Sequence, residues 1–411
     1  MSSAAETPAA PRDADVLVLG ASFAGIELVY QLQRRSEGKP LRIVVVDRAR
    51  EHGYLPLVQE RLLGVLAPAD SRLATASYLA SIPGVRFVEG EVVKLEPERK
   101  TVTLAGGREL GARIVVVALG SVVDPPPSIP GHEHLLAHKF EDQFEHTRAA
   151  LARVLSGRAE RPRIVVVGGG ITGCELAGEL ASLSGEQLAR PEVTLVCRED
   201  RLVGNLRPRV ARKVLAILQG QGVDVRLRAT LTEAHADGVV VIERGEGADE
   251  QRVDIPCALA LWAGGVRPAP VLGSLGLPRT DEGWLAVGPT LQCFATTQAK
   301  IPDVLACGDA VRIVGGDGEW PTMQRAIECL WQAKLVATNV MKLLEEPPGY
   351  PNGVPPLSPH TLRREFAYGV SLGKRSLVVW GALIVDLPGV NHWFRRWLMR
   401  RYFARYEPYP S

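Results

Sequence analysis

The chain has 411 residues, which at roughly 100–200 residues per domain points to two or three separate cores. Its net charge is only +2, which excludes a global field for nucleic acid, and its six cysteines include no C-x-x-C pair, which argues against a disulfide framework and a metal centre. Residues 1–12 carry no signal-type apolar core and no apolar run approaches about 18 residues, so the expectation is a protein on the cytoplasmic side with no membrane span.

Asp15 to Leu19 reads as a buried strand, Gly20-Ala21-Ser22-Phe23-Ala24-Gly25 as a tight turn, and the residues through Leu32 as a helix. A second strand, Leu41 to Val46, ends in Asp47. This is the layout of a phosphate-binding βαβ unit. Small residues let the backbone approach a pyrophosphate, the helix N-terminus adds partial positive charge, and the acid accepts from a ribose. Serine stands where the second glycine of that fingerprint is usual.

Glu51 to Leu79 follows as loop and helix, then short strands near Val85–Val88, Val92–Leu95 and Thr101–Leu104. Arg113 to Val117 is a further buried strand ending in Ala118-Leu119-Gly120, which returns the chain to the first sheet. Asp124 to Pro130 is a proline-rich crossover, and Glu141 to Leu155 a helix.

A second βαβ unit begins with the strand Arg163 to Val167, the turn Gly168-Gly169-Gly170-Ile171-Thr172-Gly173 and a helix from Cys174 to Leu180. Its next strand is Val193 to Val196, followed by Cys197 and Arg198. An antiparallel insert is expected at Val223–Leu227 and Gly238–Ile242, and Cys257 to Trp262 closes the unit before Ala263-Gly264-Gly265. Leu285–Val287 and Val304–Cys307 rejoin the first sheet, and a helix runs from Met323 to Leu344. Glu345 to Pro359 is a proline-rich linker, and Tyr368 to Lys374 and Ser376 to Val385 are strands of a C-terminal module.

Asn391 to Tyr406 carries Trp393, Phe394, Trp397, Leu398, Tyr402 and Phe403 at helical spacing, with Arg395, Arg396, Arg400, Arg401 and Arg405 between them. An aromatic face flanked by arginines suits a helix lying in a membrane interface. The alternative is a helix docked on its own domain or on a partner subunit.

With these residues in view, the chain resembles the two-dinucleotide-binding-domain flavoproteins, and within them the type II NADH:quinone oxidoreductases and the apoptosis-inducing-factor-like quinone reductases, from Asp15 to Tyr406. The fold class implied is α/β, with two Rossmann-like domains for FAD and NAD(P), antiparallel inserts and a C-terminal module ending in an amphipathic helix. The expected divisions are 14–150 and 281–345 for FAD, 160–280 for NAD(P)H and 360–411 for the C-terminal module.

The resemblance makes Gly20, Ser22, Phe23, Ala24, Gly25, Asp47, Arg48, Pro56, Val92, Ala118 and Gly120 FAD-side residues, joined by Gly308 and Asp309 of Ala306-Cys307-Gly308-Asp309-Ala310 and by Met323 and Gln324. It makes Gly168, Gly170, Ile171, Thr172, Gly173, Glu175, Cys197, Arg198 and Gly264 nicotinamide-side residues. Tyr54-Leu55-Pro56-Leu57 with Glu60 looks like the loop after the FAD strand, and Tyr368 to Lys374 like the opening of the membrane-anchoring module. Glu175 and Gln324 are the implied catalytic residues. Glu175 lies near nicotinamide and flavin, and the alternative for it is a carboxylate favourably placed at a helix N-terminus. Gln324 lies at a helix opening, Thr322-Met323-Gln324, aimed at the flavin.

Two departures bear on specificity. The family's quinone-side pattern A-Q-x-A-x-Q-Q stands here as Met323-Gln324-Arg325-Ala326-Ile327-Glu328-Cys329. Where NADH-binding members carry a glutamate at the end of the second nucleotide strand, this chain has Cys197-Arg198, which admits NADPH as well as NADH, unless Glu199 takes the acid's place.

The implied cofactors are FAD with NADH or NADPH, and the implied partners are a quinone or other small electron acceptor, a membrane surface and a second copy of the chain. Cys174, at a helix N-terminus where a thiol can be acidified, together with Cys307 keeps sulfide:quinone oxidoreduction as an alternative. A ferredoxin- or rubredoxin-type carrier reductase and a slow flavin-binding sensor are the others.

Overall fold

The computed structural model describes residues 13–36, 38–67, 69–156, 161–183, 190–245, 249–294, 300–314, 324–345, 355–362, 367–386, 388 and 391–406. Ala14–Leu19 runs at the middle of a ten-stranded sheet, parallel to Ile43–Asp47 on one side and Glu109–Val117 on the other. Val85–Glu89 continues the sheet beyond Ile43–Asp47, and Lys300–Ala306 pairs in parallel with Glu109–Val117. These central strands are near-continuous runs of valine, isoleucine and leucine because both faces of the sheet are covered. Helices Phe23–Arg35 and Ala326–Leu344 pack on each other as part of that cover.

The second sheet is all parallel. Arg163–Val167 lies between Glu192–Val196 and Leu259–Trp262, with Asp224–Arg226 at one edge and Leu135–Leu136 at the other. Val223–Leu227 was expected in the antiparallel insert; its core, Asp224–Arg226, is instead a parallel edge strand of this sheet. The insert is a meander of Ala229–His235, Gly238–Arg244 and Glu250–Pro256. A short valine-bearing strand looks the same from sequence in either sheet, and only its neighbours decide.

One further boundary shifts and one region resolves into short pieces. In the loop and helix region expected over Glu51 to Leu79, the helical parts are the short pieces Leu55–Leu57, Val58–Leu62 and Thr75–Ala80. The helix expected from Met323 starts at Ala326, with Arg325 as N-cap. Met323 and Thr322 lie outside the described residues, and Gln324 precedes the helix in the left-handed region at φ 49°.

Tyr368–Leu372, Arg375–Trp380 and Leu383–Asp386 form an antiparallel meander against helix Ile171–Ala181. A Cβ on Gly178 would meet the Leu372 backbone at 2.8 Å, so this small residue lets sheet and helix touch.

The terminal helix Asn391–Phe403 does not present one aromatic face. Met399, Tyr402 and the following Tyr406 are buried, whereas Trp393, Phe394, Trp397 and Leu398 are exposed. Its arginines divide in the same way. Arg396 pairs with the fully buried Glu60 at 3.2 Å and Arg405 with the buried Glu27 at 3.0 Å, while Arg400 and Arg401 face solvent. The helix therefore docks on its own domain through one face and leaves an aromatic strip exposed on the other. Among the described residues no helix is long and apolar enough to cross a membrane.

Candidate functional site

At the end of Ala14–Leu19 the backbone turns at Gly20, φ +103°, where a Cβ would lie 2.3 Å from the Ala118 carbonyl oxygen. Only glycine fits that approach. Gly25 closes the same turn, since a Cβ there would sit 1.9 Å from the Gly20 oxygen. Ser22 is the N-cap of the helix that follows but makes no side-chain cap bond, which leaves the amides of the first turn, at Ala24 and Gly25, without one of their usual acceptors. Asp47 reaches back to the turn, accepting from Ala21 N at 2.6 Å and from Ala49 N at 2.9 Å. Arg48 is turned aside over the Phe140 ring, 4.4 Å from its centroid.

Asp309 comes to the same end of the sheet from the far part of the chain. It accepts from Ser121 Oγ at 2.9 Å and lies 3.4 Å from Lys139 Nζ, and its carbonyl accepts from Gln324 Nε2 at 3.3 Å. Gly308 N donates to Gln332 Oε1 at 2.7 Å. Gly120, φ +69°, has open space where a Cβ would be. Val92 is buried in the first core, paired with Leu104, and takes no part in the turn.

The second turn repeats the first. Gly168, φ +126°, would place a Cβ 2.2 Å from the Ala263 oxygen, and Gly173 would place one 1.8 Å from the Gly168 oxygen. Gly170, the N-cap, has nothing within 4 Å, and Thr172 is exposed beside the half-buried Ile171. Gly264 packs on the Trp262 ring, where a Cβ would lie 2.4 Å from the nearest ring carbon.

Cys197 does not face this opening. Its thiol is buried under Gly169, and burial pushes it up to about 11. Arg198 is exposed and pairs with Glu199 at 3.1 Å, so the candidate phosphate reader and the candidate acid occupy one spot.

Glu175, the fifth residue of the second nucleotide helix Ile171–Ala181 and so just past its first turn, is buried where three other elements meet that helix. It accepts from Gln59 Nε2 at 3.2 Å and from Ser371 N at 2.9 Å, and Arg395 of the terminal helix stands 3.4 Å away. Burial raises its pKa; Arg395 and the Ser371 amide pull it back, and Glu60 adds to the rise. Pro56, expected at the flavin, offers its carbonyl to Arg395.

The thiols are not acidified as the helix position of Cys174 suggested. Cys174 is fully buried 3.5 Å from the Gly169 carbonyl and burial drives its pKa far up, while burial pushes Cys307 up to about 12. Loss of solvation outweighs the helix N-terminus for Cys174, and burial alone acts on Cys307. Among the described residues no cluster of three or more His, Cys, Asp or Glu is placed to hold a metal.

Lys139, Ser121, Gln332, Gln59 and Arg395 join the site without having been singled out for it. Each pairs with a residue that was, yet the pairings span long stretches of chain, 170 positions for Lys139 and Asp309, and leave no local pattern.

The chain is similar to a demethylphylloquinone reductase of Synechocystis sp., 28% identical over 338 residues, covering 79% of each chain. It is similar to a type II NADH:quinone oxidoreductase of Haemophilus influenzae, 28% identical over 381 residues, covering 81% of each. In fold it matches the NDH2 of Plasmodium falciparum solved in complex with NADH, with a TM-score of 0.78 at 11% identity over 96% of this chain and 97% of that one. The model of the pyridine nucleotide-disulphide oxidoreductases matches residues 14–333, and with both nucleotide turns built as described the chain belongs to that family.

Proposed function

We propose that the chain is an FAD-dependent NAD(P)H:quinone oxidoreductase that does not pump protons. The observation that carries the reading is the pair of like-built turns, each with a close-approach glycine and helix amides left without a side-chain cap, together with the buried Glu175 under the second. The relatives named as quinone reductases support the acceptor.

The residues fit the two cofactors. The glycines at 20 and 168 let each turn pass close against the backbone of Ala118 and Ala263, and the amides of each first helical turn would hold a pyrophosphate. Asp47 would hold a ribose, and Asp309, positioned by Ser121 and Lys139, the middle of the FAD. FAD, when bound, supplies the redox chemistry, accepting hydride from the nicotinamide coenzyme and passing electrons to the quinone.

Glu175 keeps its proton to a higher pH than an ordinary carboxylate because it is buried, so it is suited to hold a proton for the reduced acceptor. Arg395 opposes that shift and keeps the carboxylate oriented. Arg198, exposed next to Glu199, supports acceptance of NADPH alongside NADH.

The exposed strip of Trp393, Phe394, Trp397 and Leu398, with Arg400 and Arg401 beside it, supports attachment to an anionic membrane surface. A second copy of the chain covering the strip is the competing outcome, read by sedimentation without lipid.

Steady-state oxidation of NADH and NADPH with short-chain quinones, sulfide and a soluble iron–sulfur carrier tests the proposal. Turnover with quinone is expected. Turnover confined to sulfide or to the carrier protein contradicts it.

A further inference from the structure

Ser22 stands where the nucleotide fingerprint usually has glycine, so its hydroxyl is an addition to the phosphate turn. An N-cap serine ordinarily accepts from an amide of its own helix, but Ser22 does not. Its Oγ lies 3.1 Å from Nδ1 of His52. The His52 ring is buried edge-to-face on Phe23, with centroids 4.4 Å apart at 85°, and its Nε2 lies 3.3 Å from the Tyr402 hydroxyl of the terminal helix. Tyr402 is in turn held against Phe23 and Tyr406, and Tyr406 donates to Glu27 of the FAD-side helix at 2.5 Å.

We propose that His52 and Tyr402 are positioning residues for the phosphate turn, through which the terminal helix aims the Ser22 hydroxyl at the phosphoryl oxygens of FAD. The inference rests on the FAD reading above. It makes the C-terminal helix part of the cofactor site.

In this proposal each bond has a direction that the proton count allows. Burial and the charge of Arg61 push His52 down to about 3, so at neutral pH the ring is uncharged, with one nitrogen donating and the other accepting. Burial holds the phenol proton on Tyr402, which can donate to Nε2. The ring proton then sits on Nδ1 and is donated to Ser22 Oγ. The serine hydrogen is thereby left to donate to an anion. In the opposite tautomer the serine donates to Nδ1 and has nothing to offer a phosphate. The Tyr402 hydroxyl thus selects the tautomer that serves the cofactor.

The test is a double-mutant cycle on FAD affinity, read by fluorescence titration of apoprotein with FAD. Tyr402→Phe keeps the ring and removes the hydroxyl, and Ser22→Ala removes the hydroxyl at the turn without touching the terminal helix. Each should weaken FAD binding by about 10–100-fold, the effect of one hydrogen bond to a charged group, and the double variant should be no weaker than either single one. Unchanged affinity in either single variant, or losses that multiply in the double, overturns the proposal. Should Tyr402→Phe fail to fold, Ser22→Ala alone decides, because unchanged affinity there removes the hydroxyl from the site. Wild-type protein that does not bind FAD at all refutes the function reading instead.

Discussion

Replacing Arg395 by methionine keeps much of the aliphatic packing of that side chain and removes its charge from beside Glu175. The two side chains are only 14% and 10% exposed at 3.4 Å, so the carboxylate left behind has little water to turn to. Breaking a buried pair costs about 3–5 kcal/mol when the orphaned charge must stay. Here it need not stay. Glu175 already has a raised pKa, keeps its bonds from Ser371 and Gln59, and can take up a proton at about 1.4 kcal/mol per unit of pH.

The loss is therefore expected at about 2–3 kcal/mol near pH 8 and below about 1 kcal/mol near pH 5. The sign follows from the direction of the shift. A carboxyl whose folded pKa lies above its unfolded value destabilises the fold increasingly as pH rises from the unfolded pKa to the folded one, and losing Arg395 widens that interval. Urea unfolding of wild type, Arg395→Met and Arg395→Met/Glu175→Gln at both pH values measures it. The double variant should recover most of the loss and show no extra pH dependence from this site. A loss equal at both pH values, or larger in acid, refutes the coupling.

Gly20→Val should yield colourless protein, because a Cβ there lies 2.3 Å from the Ala118 carbonyl; the absorbance ratio of flavin to protein checks it, and a yellow variant contradicts the cradle. Arg198→Ala should raise KM for NADPH about tenfold and leave NADH nearly unchanged, as expected for one charge-assisted contact to phosphate, whereas equal changes remove Arg198 from phosphate recognition. Trp393→Ser/Phe394→Ser/Trp397→Ser should melt like wild type yet lose co-sedimentation with anionic vesicles, while removal of 391–411 should lower the melting temperature, since it takes Tyr402 and Tyr406 from the core and Arg405 from Glu27. Vesicle binding by the triple variant equal to wild type contradicts membrane attachment by this strip.

The two nucleotide turns were legible because their constraint is local: glycine at a backbone crossing, a strand before and a helix after. Asp47 was legible for the same reason, lying at a strand end beside the turn it serves. What the turns gather from far away was not. Lys139 meets Asp309, and Arg395 meets Glu175, only because separate sheets and the terminal helix converge, and no spacing in the sequence records that. The terminal helix was legible as aromatic and basic. Its division into a docked and an exposed face was not, because arginine serves equally as a partner for a buried glutamate, as Arg396 does for Glu60, and as a solvent-facing cation. Cys174 misled because its helix position promises a reactive thiol, and burial cancels the promise.

Anaerobic stopped-flow mixing of the purified protein with NADH, followed by a short-chain quinone, tests the central claim most directly. The flavin absorbance near 450 nm should bleach on the first mix and return on the second, each fast enough to support turnover. Bleaching without return on quinone, or no bleaching with NADH and NADPH alike, contradicts it.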